Sequence, residues 1–191
     1  FLKSRKVDGL ILGPCQTDSV SHLVSEVAGI STVLFDRDGG DGLSSVKVDH
    51  YQGTTSAMEH LLGLGHTRIA LMTPGTQIQP IKERIQAYRD CLSRAGIAFD
   101  PGLISFEDSS MNFTPANAQR LLQGPARPTA FLCLGTKILA GVLASIQQAK
   151  LSIPGDVSVV SIGDTVFAEY HTPSLTPIGW DIDALSDEIS R

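Results

Sequence analysis

The chain is predicted to be an α/β protein built on parallel sheets, and three observations predict it. Short apolar runs rich in Val, Ile and Leu recur along the 191 residues, separated by segments whose apolar residues repeat at helical spacing. The runs have the near-continuous hydrophobicity of strands covered by helices on both faces. Glycines stand where helices are expected to close on a left-handed residue. The clearest unit is Asp49 to Met72, reading DHYQGTTSAMEHLLGLGHTRIALM. Asp49 can cap a helix there, with Gln52 reaching back to it. Ala57, Met58, Leu61 and Leu62 form the apolar stripe, Gly65 closes the helix, and Ile69 to Met72 is a buried strand.

The other elements follow in order. Phe1 to Lys6 reads as the tail of a helix, and Val7 to Leu12 as a strand broken at Gly13-Pro14. Ser19 to Ala28 carries Val20, Leu23, Val24 and Val27 on one helical face, and Ser31 to Phe35 is a strand. Val46 and Val48 suggest a short strand before the Asp49 helix. After Met72 comes a loop, then a helix with Pro80 at its first position, the stripe Ile81, Ile85, Tyr88, Leu92 and Ala95, and a close at Gly96. Leu103 to Phe106 is a weaker strand, Ala116 to Leu122 a helix closed by Gly124, and Thr129 to Leu134 a strong strand. Thr136 is expected to cap the helix of Ile138, Leu139, Val142, Leu143 and Ile146. Val157 to Ile162 is a further strand, Pro173 and Pro177 bracket a connecting segment, and Ile182 to Ile189 begins a helix.

Composition narrows the function. The net charge of −5, with both signs mixed along the chain, argues against this portion gripping a phosphate backbone unaided. No apolar run is long enough to cross a bilayer. Cys15, Cys91 and Cys133 are widely spaced and odd in number, which suits reduced thiols in the cytoplasm. Phe1 is not an initiator and Arg191 falls inside an expected helix, so both ends are expected to be cut.

Catalytic patterns are missing. There is no Gly-x-Ser-x-Gly elbow, no phosphate-binding loop and no His-Glu-x-x-His, and the five histidines show no metal-ligand spacing. No cofactor or metal is expected. His66, after Gly65, is expected to tie down a helix end. What remains is a set of residues where strands end, the place at which open parallel sheets bind ligands. Asp36 follows one strand, although a solvated loop charge is the plainer reading. Arg84 is expected in the first turn of its helix, where a cation does not complement the helix dipole, although it can simply lay its stem on the surface. Gly135-Thr136 opens a helix after a strand. Gly163-Asp164 ends the next strand, where Asp164 can serve only as a cap. Trp180 is the single tryptophan, a residue more often core than ligand platform.

In this order the motifs resemble the effector-binding portion of bacterial transcription regulators of the lactose-repressor (LacI/GalR) family. The resemblance is carried by Val7-Asp8-Gly9-Leu10-Ile11-Leu12, Val33-Leu34-Phe35-Asp36-Arg37, Val48-Asp49 with Gly53, and Leu64-Gly65-His66-Thr67-Arg68-Ile69-Ala70. It continues through Arg84-Ile85-Gln86-Ala87-Tyr88, Ile153-Pro154-Gly155-Asp156-Val157-Ser158-Val159-Val160 and Pro173-Ser174-Leu175-Thr176. It implies two Rossmann-like lobes of the type I periplasmic-binding-protein kind, with a small molecule held in the cleft between them. Residues 1–48 would form part of the amino-terminal lobe, 49–172 the carboxy-terminal lobe, and 173–191 the crossover and return. It also implies a homodimer, and DNA contact through a helix-turn-helix headpiece that this chain lacks.

The family's ligand contacts carry over in part. Asp36 and Arg84 match the acidic and basic residues often aimed at the ligand. Gly135-Thr136 replaces the usual Asn-Asp pair, Gly163 replaces the first Asp of Gly-Phe-Asp-Asp and leaves Asp164, Trp180 falls near a usual polar position, and Gly13 stands where some sugar binders place a polar group. Reading sugar hydroxyls takes buried polar partners, which glycines cannot supply. The expected effector is therefore not a simple sugar, but a bulkier or flatter molecule able to stack on Trp180 and present an acidic group to Arg84. Two other readings stay open. A periplasmic solute-binding protein shares the fold, and a secretory signal in place of a helix-turn-helix would mark it. An α/β enzyme ranks last, because no nucleophile, base and orienting group can be assembled.

Overall fold

Alternating strands and helices are what a computed structural model of the chain contains; it describes residues 7–14, 25–40, 42–75, 78–107, 116–163 and 165–190. The expected helix at Phe1 to Lys6, most of that at Ser19 to Ala28, Cys15 and Asp164 lie outside the described residues. The order is β1 (Gly9–Leu12), β2 (Ser31–Phe35), β3 (Ser44–Val46), α1 (His50–Gly63), β4 (Ile69–Pro74), α2 (Gln79–Arg94) and β5 (Ile104–Glu107). There follow α3 (Ala116–Gln123), β6 (Ala130–Leu134), α4 (Thr136–Gln148), β7 (Ser158–Ile162), α5 (Thr165–Tyr170), β8 (Thr176–Ile178) and α6 (Ile182–Ile189).

Two compact units result. The first draws on residues 1–49, 76–82 and 180–191, and the second on 50–75 and 83–179. In the first, β1, β2 and β3 pair in that order, all parallel, with Leu12 opposite Leu34 and Phe35 opposite Val46. Helix α6 lies beside β3.

The second unit holds a five-stranded parallel sheet in the order β5-β4-β6-β7-β8. Side chains alternate across a strand, so each strand feeds two faces. Ala70 and Met72 of β4, Phe131 and Cys133 of β6 and Val159 of β7 join one buried cluster with Leu121 and Leu122 of α3 and Leu139, Val142 and Ile146 of α4. Leu71, Leu132 and Val160 are left for the opposite face and are equally buried. Helix α1 lies against β7 and β8. Tyr88 of α2 donates its hydroxyl to the Ile69 carbonyl at 2.8 Å. Burial on both faces explains why these strands read as unbroken apolar runs.

Several local expectations need correction. Thr136 does not cap α4: it is the first helical residue, and Gly135 occupies the cap position with no side-chain bond. Helix α2 begins at Gln79, one residue before Pro80, which puts Arg84 in the second turn, beyond the reach of the terminal dipole. Strand β4 runs on to Pro74 because its end pairs with Glu107 of β5. The segment from Pro173 first adds β8 to the second sheet, with Thr176 opposite Val160, before α6 joins the first unit. Gly65 closes α1 at φ 88° as expected, with its amide on Leu62 and that of His66 on Leu61. His66 ties down more than the helix: its Nδ1 lies 2.9 Å from Thr129 Oγ1 and its Nε2 3.0 Å from Ser158 Oγ, joining the entrances of β4, β6 and β7.

Candidate functional site

Carboxyl ends of parallel strands gather polar backbone groups and the loops that carry side chains, so the expected residues are taken unit by unit along those ends. In the first unit Gly13 follows β1 and Asp36 follows β2, on neighbouring strands. A Cβ added at Gly13 would meet only Phe35 Cδ1, at 4.0 Å. Asp36 holds φ 59°, a left-handed conformation uncommon outside glycine but tolerated by Asp, and its amide donates to the Val46 carbonyl at 2.8 Å. Arg37 is buried beside it. Its Nη1 donates to the Asp36 carbonyl and lies 3.7 Å from Asp36 Oδ2. Trp180 belongs to the same unit and is 36% exposed, so it is not the core residue that a lone tryptophan suggests.

In the second unit β6, β7 and β8 finish as a staircase. The Gly135 amide donates to the Ile162 carbonyl at 3.1 Å, and the Gly163 amide to the Ile178 carbonyl at 3.0 Å. Both glycines have a strongly positive φ, 108° and 121°. Thr136 follows, exposed. Arg84 comes from α2, the helix after β4, and its Nη2 lies 2.8 Å from His50 Nδ1. The second sheet thus brings Gly135, Thr136 and Gly163 to adjacent strand ends, and Arg84 is engaged by a histidine.

Two polar residues that the sequence reading passed over belong to this unit. His50, the first residue of α1, is buried. Glu107, the last residue of β5, is also buried and accepts from Ser105 Oγ at 2.8 Å and Asn117 Nδ2 at 3.1 Å, both on Oε1. Its neighbour Phe106 is 48% exposed, so the strand buries its acid and exposes its aromatic, the reverse of what hydrophobicity predicts. Burial pushes the thiol of Cys133 up, with Glu107 adding to the shift, so Cys133 stays protonated and inert. Cys91 and Cys133 are free thiols.

A groove of about 640 Å³ lies elsewhere in the second unit, lined by Ala140, Leu143 and Ala144 of α4 with Leu151, Ile153 and His171. It contains none of the expected site residues. Among the described residues no group of three or more His, Cys, Asp or Glu could hold a metal, and no helix is long and apolar enough to cross a membrane.

Comparison with known proteins places these features. The profile of the periplasmic binding protein-like domain family matches residues 58–191. The ribose operon repressor of Escherichia coli K12 is 31% identical over 188 residues, which are 97% of this chain and 57% of the repressor. The HTH-type transcriptional regulator DegA of Bacillus subtilis is 30% identical over 195 residues, covering 100% of this chain and 57% of DegA. This chain therefore spans little more than half the length of these relatives. The crystal structure of a LacI-family regulatory protein from Chloroflexus aggregans superimposes with a TM-score of 0.85 at 25% identity, over 98% of this chain and 68% of that one. These relatives are named as transcriptional regulators, none as an enzyme. On the family match, and on this kinship in sequence and fold, the chain belongs to the periplasmic binding protein-like domain family in the form that LacI-family transcriptional regulators carry.

Proposed function

We propose that this chain is the effector-sensing portion of a LacI-family transcriptional regulator that acts in the cytoplasm as a homodimer. DNA would be read by a headpiece in the longer polypeptide, as the helix-turn-helix names of relatives such as DegA suggest. The observation that carries the reading is the family match over residues 58–191, which spans the strand ends bearing Gly135 and Gly163 and the helix bearing Arg84. A small molecule would bind along those carboxyl ends, with Arg84 as its charged contact in the second unit. Within the first unit, taken by itself, Asp36 and the half-exposed Trp180 are proposed as ligand contacts.

The effector is not a simple sugar on this reading, although one relative is named for ribose. Discrimination between hydroxyls needs fixed donors and acceptors, and two strand ends that could supply side chains are glycines in conformations that other residues rarely adopt. An acidic effector would instead gain a charge-assisted contact from Arg84. Regulation requires that this ligand bind two states of the protein unequally. The test is fluorescence anisotropy of the full-length protein on operator DNA in the presence of a metabolite panel. An acidic metabolite should change operator affinity; operator affinity indifferent to every metabolite that binds the protein would contradict the reading.

A further inference from the structure

Glu107 is a buried acid with an unfinished set of partners. It closes β5 at 3% exposure, opposite Pro74 of β4, and its carbonyl accepts from the Gly75 amide at 2.8 Å. The side chain is held as firmly as the backbone. Ser105 Oγ, two residues back on the strand, donates to Oε1 at 2.8 Å. Asn117 Nδ2, from the second residue of α3, donates to the same oxygen at 3.1 Å.

A carboxylate only accepts, and its two oxygens offer about four positions for donors. Oε2 takes no hydrogen bond and joins no ion pair among the described residues, yet it is not fully enclosed. The negative charge is felt inside the unit, since it helps to push the Cys133 thiol up. Two neutral donors orient such a group without neutralising it. A carboxylate at this depth without a counter-charge is costly, and the cost falls when a cation meets it. The place also suits a ligand. Glu107 ends the strand that pairs with β4, and β4 leads into α2, so the acid stands at the carboxyl ends of the second sheet.

We propose that Glu107 is an effector contact of the second unit, its Oε2 receiving a protonated amine. The inference rests on the effector reading above and deepens it: the small molecule carries an ammonium group as well as an acid. A hydroxyl could donate to Oε2 too, but only an ammonium brings the missing counter-charge. Ser105 and Asn117 are positioning residues on this account. By donating to Oε1 they fix the carboxylate plane and leave Oε2 for the ligand.

The experiment uses full-length protein and calorimetry. Benzylamine is the cationic probe, benzyl alcohol its neutral counterpart, and benzoate reports the acid contact. Wild-type protein should bind benzylamine about tenfold or more tightly than benzyl alcohol. Glu107→Gln keeps an oxygen for Ser105 and Asn117 but places an N–H donor where Oε2 lies. It should erase the preference for the amine without weakening benzoate. Asn117→Ala removes one of the two bonds that aim the carboxylate, and should weaken benzylamine binding by about threefold or more. That variant carries the test should Glu107→Gln fail to fold. A residue that only pinned α3 to β5 would leave the preference intact. Equal binding of benzylamine and benzyl alcohol by the wild type, or an undiminished preference in either variant, would overturn the proposal. Protein that ignores benzoate would remove the acid contact at Arg84, and benzylamine would still decide the role of Glu107 separately.

Discussion

Gly135 and Gly163 end neighbouring strands, β6 and β7, and each sends its amide to the carbonyl that closes the next strand. Their φ angles of 108° and 121°, with ψ 153° at Gly135, lie in a region open essentially to glycine alone. Two of the replacements that separate this chain from the resembled ligand pattern are therefore also backbone requirements. Restoring the pattern with Gly135→Asn or Gly163→Asp should cost about 1–3 kcal/mol of stability at each site. Urea unfolding measures that loss, and a variant as stable as the wild type would show that the strand ends do not hold this conformation.

Lys150 closes α4 in the left-handed region at φ 57°, where its amide bonds the Gln147 carbonyl and that of Leu151 the Ile146 carbonyl. A lysine pays a steric penalty there that glycine avoids, offset in part by the greater freedom of glycine in the unfolded chain. Lys150→Gly should raise stability by about 0.5–1 kcal/mol, seen as a higher urea midpoint with an unchanged slope.

His66 carries a pKa below its ordinary value of 6.5, because burial disfavours its charged form and His60 adds repulsion. Between that lowered value and 6.5 the unfolded chain binds a proton that the native chain does not, so stability rises with pH through this window. The contribution is full above 6.5 and is lost as pH falls through the folded value. Urea midpoints taken from about pH 7.5 down to pH 5 should fall, and His66→Gln should start lower but vary less with pH. Parallel pH profiles for the two proteins would refute this.

Tyr88 is pushed up to about 12 by burial first and Asp100 second, with Arg68 opposing. Between about 10 and 12 the unfolded chain releases a phenol proton that the native chain keeps, so stability falls as pH rises there. Its ultraviolet phenolate band should emerge only near that upper value. Tyr88→Phe removes the bond to the Ile69 carbonyl and should cost about 1–2 kcal/mol.

The fold was legible because burial on both faces writes itself into the strands. Ser31 to Phe35 matches its expected limits, the last helix starts at Ile182 as expected, and β6 and β7 each lie within one residue of theirs. Ends were harder, since they depend on partners far away. β4 reaches Pro74 through pairing with β5, and the α4 cap falls on Gly135, whose amide already serves Ile162. The site was legible only as positions. Arg84 stood out, but its partner His50 did not, because a polar residue opening a helix reads as exposed and the contact spans 34 residues. Glu107 was hidden by its own strand, whose apolar Phe106 turns outward.

The central claim is that a charged small molecule is sensed at these strand ends through Arg84. Calorimetric titration of the full-length protein with benzoate and with ribose, in wild type and Arg84→Ala, tests it most directly. The account predicts benzoate binding that weakens by about tenfold or more in Arg84→Ala, with ribose binding feeble in both proteins. Tight ribose binding untouched by Arg84→Ala would contradict it.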